Sequence, residues 1–245
     1  MLIAQVTDIH ASRNNDNLRR FDRALEWLEH INPDVLVLTG DLIDEQWHEG
    51  YQLIFDRLSQ KKWPSLVMPG NSDDRGMMRS IWGTQGWAED APDNSLHFVH
   101  HLSNIRLIGL DSTIEGKNSG DVINHLEWLE KQLQNRGTTA SLLFLHHHVF
   151  ESGIPSLDET LCCGTRELAE LIKRIPDKPL AIASGHVHRP VAGIFAGIPA
   201  FICGSICPAN PVWFGSNNIP PANDPPSLMI HRYVDNIFTS HHVSV

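Results

Sequence analysis

Short apolar runs of strand length, separated by stretches with helical periodicity, most constrain the fold of this chain. The runs are LIAQV (2–6), DVLVLTG (34–40), SLVMPG (65–70), IRLIGL (105–110), SLLFL (141–145), LAIAS (180–184), PAFIC (199–203) and SLMIHRY (227–233). Between several of them, apolar residues recur at helical spacing, as in Leu18, Phe21, Leu25 and Leu28. This alternation predicts an α/β fold. From about residue 180 no helical pattern separates the runs, so the last third is predicted to be rich in strands.

The chain is predicted to form one domain over residues 1–245, with two domains as the alternative, because no low-complexity linker interrupts its apolar segments. A helical pattern from Val122 to Leu133 is predicted to start behind Asp121 as a cap and to end ahead of Gly137. The part from about residue 205 is rich in loops, notably NPVWFGSNNIPPANDPPS (210–227).

Charge and composition exclude several classes of partner. The 19 Lys and Arg against 29 Asp and Glu give a net charge of −10, which offers no basic footprint for nucleic acid. The start, MLIAQVTDIH, is apolar too briefly for a secretory signal or a membrane span, so no membrane partner and a cytoplasmic location are predicted. Four cysteines are too few for a disulfide framework and are expected to be reduced thiols.

Polar residues follow five of the predicted strands at the point where each strand ends. They are Asp8 and His10 in TDIH, Asp41 and Asp44 in TGDLID, Asn71 in PGNSDD, His146, His147 and His148 in FLHHH, and His186 and His188 in ASGHVH. Ligand sites of open α/β sheets lie beyond the carboxyl ends of the strands, so these side chains are expected to converge. Carboxylates, an amide oxygen and imidazoles are the ligands of a divalent metal site that substrate can reach.

Each motif alone also has a structural explanation. Asp8 could cap a turn, Asn71 begins good turn chemistry, and the HHH run could be an exposed strand end. Asp44 is predicted to be a structural hydrogen-bond acceptor. Exposed polar positions are predicted for His97, His100, His101, His241 and His242, and a packed loop is favoured over base stacking for Trp213 and Phe214. Only the ordered set favours the metal site.

The ordered series D-x-H, G-D-x-x-D, G-N-x-D, H and G-H-x-H, from residue 8 to residue 188, resembles the calcineurin-like metallophosphoesterase superfamily. The compact length, TDIH near the start and LHHH resemble one branch, the class III cyclic nucleotide phosphodiesterases and glycerophosphodiesterases. This resemblance implies a four-layer α/β/β/α sandwich with two divalent metal ions at one edge. It also implies that the part from about residue 205 can border the substrate pocket.

Carried over position by position, the resemblance implies a role for each matching residue. The first metal ion would be held by Asp8, His10 and His188, the second by Asn71, His146 and His186, and both by Asp41. Catalytic roles would fall to Asp41, Asn71 and His147, and substrate contacts to Asn71, Ser72 and His147. Manganese and iron are expected ahead of zinc, since mixed Asp, Asn and His ligands suit all three.

The expected activity is hydrolysis of a small phosphodiester, either a 3′,5′-cyclic nucleotide or a glycerophosphodiester, by a metal-bridging hydroxide. The alternatives are a phosphomonoesterase or nucleotidase of the same fold, and a non-catalytic metal-binding interaction scaffold. One departure matters: the family motif G-N-H-[DE] reads GNSD here, and Ser72 cannot act as an acid near neutral pH. A homo-oligomer is expected only by analogy with relatives.

Overall fold

The computed structural model describes residues 1–84, 86–134 and 140–245, which contain two β-sheets. The first sheet is built from β1 (Leu2–Val6), β2 (Val35–Thr39), β3 (Ser65–Met68), β10 (Ser227–Val234) and β11 (Ile237–Ser244), in the order β11-β10-β1-β2-β3. Strands β1, β2 and β3 are parallel, and β10 pairs antiparallel with both β1 and β11. The carboxyl ends of β1, β2 and β3 therefore meet at one edge.

The second sheet has six strands in the order β4-β5-β6-β7-β9-β8. They are β4 (Phe98–Leu102), β5 (Ile105–Gly109), β6 (Ala140–Phe144), β7 (Ile182–Ser184), β8 (Val191–Phe195) and β9 (Ile198–Ile202). The four central strands are parallel, and the two outer strands β4 and β8 are antiparallel to their neighbours. Of the central strands, β5, β6 and β7 are buried on both faces, which explains their continuous apolar runs.

The helices are α1 (Asn17–Ile31), α2 (His48–Ser59), α3 (Arg75–Trp82), α4 (Leu126–Gln134), the short α5 (Pro155–Asp158) and α6 (Thr165–Arg174). The longer helices pack against the sheets with one apolar face each, whereas the short α5 buries no residue. Helix α1 buries Phe21, Leu25 and Leu28, whose spacing of three and four residues places them on one side. Neighbouring helices are linked by ion pairs between Arg57 and Asp22 and between Arg174 and Glu130. The result is the expected α/β/β/α sandwich.

Buried polar contacts join the two sheets next to the edge where the strands end. Gln5 Nε2 donates to Thr39 Oγ1 (3.0 Å) and to Ser184 O (3.1 Å). Beyond it, His146 Nδ1 donates to Thr39 O across 2.7 Å. Segments that follow strands of different sheets are thus held within hydrogen-bonding distance of each other.

The strands predicted from apolar runs are all present, and three others were missed. These three, β4, β8 and β11, are outer strands with sequences FVHHL, VAGIF and IFTSHHVS, in which exposed or polar residues interrupt the apolar pattern. Asp121 caps a 3₁₀ turn, Ile123–His125, by accepting from Ile123 N (2.7 Å), and α4 follows this turn. Gly137 lies outside the described residues.

The prediction that His97 is exposed is wrong. His97 is fully buried, its Nδ1 accepts from Asp111 N (2.9 Å), and its Nε2 lies 3.2 Å from His125 Nδ1. No helix in the three described ranges is both long enough and apolar enough to cross a membrane. That the chain forms one domain stays a prediction.

Candidate metal centre

Five of the seven proposed metal ligands have left-handed backbone, which non-glycine residues rarely adopt. The φ angles are 52° at Asp8, 46° at His10, 52° at Asp41, 71° at His186 and 55° at His188. Each such residue costs about 1 to 3 kcal/mol and persists only where the surrounding structure imposes it. All five lie two or four residues beyond the end of β1, β2 or β7. Strain gathered at one edge indicates a functional site.

The first cluster joins the loops that follow β1 and β7. His10 Nε2 lies 3.0 Å from His188 Nε2 and 3.3 Å from Asp41 Oδ2, while His188 Nε2 lies 3.3 Å from Asp8 Oδ1. Both carboxylates are almost wholly buried. One potential ligand atom from each of Asp8, His10, Asp41 and His188 lies within 4.8 Å of the other three, which is close enough for the four residues to hold one metal ion.

The second cluster lies beside the first and shares Asp41 with it. His146 Nε2 lies 3.1 Å from Asn71 Oδ1, 3.2 Å from His186 Nδ1 and 3.5 Å from Asp41 Oδ2. The structure therefore brings together all seven residues that the sequence motifs singled out, in two groups that meet at Asp41 Oδ2.

In each of the four histidines of the two clusters, the ring nitrogen that points away from the clusters hydrogen-bonds another residue. His10 Nδ1 donates to Asp44 Oδ1 (2.6 Å), His146 Nδ1 to Thr39 O (2.7 Å), His188 Nδ1 to Cys207 Sγ (3.2 Å) and His186 Nε2 to Thr160 Oγ1 (2.6 Å). The remaining nitrogen of each ring faces the clusters, where it binds a cation once it is deprotonated.

The donor set fits divalent cations. Asp8 Oδ1 is buried and accepts no hydrogen bond of good geometry from the described residues; its cationic neighbour is His188 Nε2, 3.3 Å away. A buried carboxylate oxygen without a hydrogen bond is costly, and a metal ion held by Asp8, His10 and His188 would satisfy it. Mixed oxygen and imidazole ligands suit Mn²⁺, iron and Zn²⁺ alike.

The two buried carboxylates also control protonation of the histidines. Burial disfavours the charged form of His188, but Asp8 outweighs it and raises the pKa of His188 to about 10. Burial also disfavours the charged form of His146, but Asp41 outweighs this effect and raises the pKa of His146 to about 9. For His186, burial and the charge of His146 hold the pKa well below its usual value.

His147 is placed next to the second cluster, but both of its ring nitrogens contact the chain. Nδ1 lies 2.8 Å from Ser112 Oγ, and Nε2 lies 3.1 Å from Asn118 O. Burial, followed by the charges of His146 and His186, holds its pKa well below the usual range, so it stays neutral. These contacts favour a supporting role over proton donation, and the predicted catalytic role of His147 stays a prediction.

Ser72 contributes through its backbone. Its N–H donates to Asp41 Oδ1 across 2.8 Å, which leaves Oδ2 of that carboxylate directed at both clusters. Ser72 Oγ is itself buried and has no partner among the described residues.

The residues around the clusters include several that sequence reasoning missed. Thr160 and Cys207 carry no motif, and only their contacts with His186 and His188 reveal them. His148, for which the sequence suggested no role, is buried and stacks on His186 with ring centroids 5.6 Å apart. Trp213 packs against the small apolar cluster of Ile154, Val187 and Ile202, as predicted, whereas Phe214 is 77% exposed.

Comparison with known proteins agrees with this geometry. The model of the calcineurin-like phosphoesterase family matches residues 1–190. The chain belongs to the calcineurin-like phosphoesterase family. Its relatives place it in the branch of class III cyclic nucleotide phosphodiesterases and glycerophosphodiesterases.

Two relatives and one solved structure illustrate the similarity. Probable glycerophosphodiester phosphodiesterase GpdQ of Arcobacter nitrofigilis is 31% identical over 258 residues, covering 100% of this chain and 93% of the relative. The 3′,5′-cyclic adenosine monophosphate phosphodiesterase CpdA of Escherichia coli is 27% identical, covering 76% of this chain and 69% of CpdA. A dimetal phosphatase from Danio rerio has the same fold, with a TM-score of 0.72, 13% identity, and coverage of 98% of this phosphoesterase and 95% of that chain.

Gly70 leaves room for the shared carboxylate. A Cβ at this position would lie 2.2 Å from Asp41 Oδ1 and 2.7 Å from His146 Cε1. We expect Gly70→Ala to displace Asp41 and to lower the binding of both metal ions, measured as metal stoichiometry after equilibrium dialysis. Gly86→Ala is the control, since a Cβ there meets nothing within 4 Å. Full metal content in Gly70→Ala would contradict the sharing of Asp41.

Cys207 is expected to orient His188. Its thiol is buried, accepts from Nδ1, and so fixes which nitrogen of His188 faces the cluster. Because loss of such outer partners costs about 10- to 100-fold in metal affinity, Cys207→Ala should weaken one of two Mn²⁺ sites by that factor, whereas Cys207→Ser should retain most of the affinity. The control is Cys162→Ala, a buried thiol that contacts no histidine ring nitrogen. Equal affinities in Cys207→Ala and wild type would exclude this role.

Metal binding is expected to release protons. The pKa values of His146 and His188 are raised to about 9 and about 10. Burial lowers the pKa of His10, but Asp41 and Asp44 outweigh burial and raise it. The metal-free site therefore binds protons at pH 7.5. Metal ions bind only the deprotonated nitrogens, so affinity should fall as the pH falls. Titration calorimetry with Mn²⁺ in two buffers of different ionisation enthalpy should show a net release of protons when the metal binds. A heat independent of the buffer would contradict this.

Proposed function

We propose that this chain is a metal-dependent phosphodiesterase that hydrolyses a small phosphodiester, either a glycerophosphodiester or a 3′,5′-cyclic nucleotide. The observation that carries the proposal is the pair of buried clusters that share Asp41 Oδ2. Family membership and the names of the relatives support it. The GpdQ relative matches along almost its whole length, and the CpdA relative over about two thirds of its length, so the glycerophosphodiester is placed first.

The residues divide between two metal ions. Asp8, His10 and His188 would hold the first ion, Asn71, His146 and His186 the second, and Asp41 both. When bound, two divalent ions lower the pKa of a water molecule between them and neutralise the charge of the phosphoryl oxygens.

The chain itself fixes the geometry of this centre. The N–H of Ser72 holds one oxygen of Asp41, and Thr39 and Asp44 hold the rings of His146 and His10 in one orientation. Such outer contacts reduce the motion that the ligands must lose when a substrate binds. Since residue 72 is serine, no side chain at that position can protonate the leaving group, and the alcohol must take its proton from solvent.

The two alternatives have less support. A non-catalytic scaffold of this fold would not need the complete set of seven clustered residues with their strained backbone. A phosphomonoesterase or nucleotidase would bind a dianionic phosphate, but among the described residues the lining of the cavity beside Asn71 contains a single arginine, Arg75, and no lysine. The choice among manganese, iron and zinc, a cytoplasmic location and a homo-oligomer stay predictions.

Hydrolysis of bis(p-nitrophenyl) phosphate beside p-nitrophenyl phosphate tests the proposal. Metal-stripped protein resupplied with Mn²⁺ should hydrolyse the diester faster than the monoester, and protein without metal should hydrolyse neither. Asp41→Asn should abolish turnover, because it weakens a ligand shared by both ions, whereas Asp56→Asn, at an exposed position of α2, should not.

Three results would change the assignment. Preference for the monoester would indicate a phosphatase. No turnover by protein with two bound ions would favour the scaffold. Full activity in Asp41→Asn would refute the placement of the centre.

A further inference from the structure

We propose that a cavity beside Asn71 binds the alcohol that leaves the phosphodiester, and that Arg75 is the fixed cationic hydrogen-bond donor of this subsite. The alcohol class is one that carries a further polar group, as ethanolamine and the ribose of a 3′,5′-cyclic nucleotide do. This inference rests on the proposed function, because it concerns the leaving side of the same reaction.

The cavity adjoins the candidate metal centre directly. Its volume is about 480 Å³, and its lining includes Asn71, Ser72, Arg75, Thr113 and Glu115. Asn71 Oδ1 is 3.1 Å from His146 Nε2, and the N–H of Ser72 donates to Asp41. A phosphodiester bound at the two clusters would therefore have an ester group next to this cavity.

Arg75 is held rigidly before any substrate binds. Its Nε lies 2.7 Å from Asp111 Oδ2, and its Nη2 donates to Asp111 Oδ1 (3.1 Å) and to Thr113 O (2.7 Å). Asp111 is fully buried and also accepts from Leu96 N (2.9 Å) and Thr113 N (2.9 Å), so it cannot move with the arginine. Burial would raise the pKa of Asp111, but the guanidinium of Arg75 lowers it, and the pair stays charged.

The guanidinium of Arg75 has N–H groups that no described residue accepts. The contacts with Asp111 and Thr113 involve Nε and Nη2, and Nη1 has no hydrogen-bond partner in the described part of the chain. The side chain is 25% exposed, so it is accessible from the cavity that it lines. A guanidinium with one edge fixed to a carboxylate and one edge open is a preorganised donor for an anionic or hydroxyl oxygen.

The cavity wall is polar, which indicates the class of alcohol. Besides Arg75 it carries Glu115, Asp74 and His48. Tyr51 also lines it, but its hydroxyl already contacts Asp73 and Asp74. Donors and acceptors around a cavity of this size favour an alcohol that presents polar groups over an apolar one.

The chemistry needs such a donor because residue 72 is serine. In the hydrolysis, the oxygen of water bonds to phosphorus, and the ester P–O bond breaks with its electron pair passing to the alcohol oxygen. That oxygen becomes negative as it leaves, then takes a proton from solvent, while the attacking water loses one to solvent. Arg75 stays protonated throughout and stabilises the developing charge without transferring a proton.

The test compares leaving groups of different quality in Arg75→Gln. The substrates are glycerophosphoethanolamine and 3′,5′-cyclic AMP, which release alkyl alcohols, and bis(p-nitrophenyl) phosphate, whose leaving group needs little stabilisation. We expect kcat/KM to fall on the order of 100-fold for at least one alkyl ester, and less than 10-fold for bis(p-nitrophenyl) phosphate, with metal content unchanged. Because glycerophosphoethanolamine releases ethanolamine and cyclic AMP frees its ribose 3′-hydroxyl, the ester with the larger loss identifies the alcohol that the cavity binds.

Two further variants separate substrate binding from structure. Arg79→Gln, one turn later on α3, removes an arginine that donates to Asn94 O outside the cavity, and should leave all three rates unchanged. Arg75→Lys keeps a cation for Asp111 but loses the planar fork, so it should fold even if Arg75→Gln does not and should show an intermediate dependence on the leaving group.

Two outcomes are decisive. Equal losses for all three substrates in Arg75→Lys and Arg75→Gln, or no loss in either, would overturn the subsite while leaving the phosphodiesterase assignment intact. Failure of the wild-type protein with bound Mn²⁺ to hydrolyse any diester would instead remove the proposed function, and this inference with it.

Discussion

The burial of Asp8 and Asp41 is the constraint on which the rest of this site depends. Two carboxylates in the interior cost several kcal/mol each unless positive charge or hydrogen bonds compensate them. Here the compensation comes from imidazoles in loops that follow strands of both sheets, and the carboxylates in turn favour the charged form of these imidazoles. Three of the four histidines that present nitrogen to a cation, His10, His146 and His188, also bind protons in the metal-free state, and His186 does not. Affinity for protons and affinity for metal thus have one electrostatic source.

This arrangement requires the backbone to turn back sharply after several strands. The left-handed φ angles at Asp8, Asp41 and His186 lie where the chain leaves β1, β2 and β7. At about 1 to 3 kcal/mol each, such residues are tolerated because the buried strands on either side of the sandwich are fixed by packing and by the contacts between the sheets. The apolar core therefore supports the site directly: it supplies the stability that offsets local strain.

Much of the fold follows from apolar periodicity, and the clusters from the order of motifs. Strands β5, β6 and β7 read as continuous apolar runs because both of their faces are covered, whereas β4 and β11, with paired histidines, do not. The convergence of Asp8, Asp41 and His146 was predictable because parallel strands end at one edge. The burial of His97 could not be predicted from the sequence. Its ring contacts a backbone N–H and a second histidine, and nothing in the sequence distinguishes such a histidine from an exposed one.

The contacts that complete the site could not be predicted for a different reason. Thr160, Cys207 and Asp111 lie in loops, far along the chain from the residues that they contact, and none belongs to a spaced motif. Their positions depend on how loops return to the sheet edge, which local propensity does not encode. Yet these residues decide which nitrogen of a ring faces the metal centre and how firmly Arg75 is held. Ligand identity is thus a local property of the sequence, whereas ligand orientation is a property of the assembled fold. For the same reason, the serine that replaces the family histidine at position 72 can be compensated only by a group that the fold brings to the same cavity.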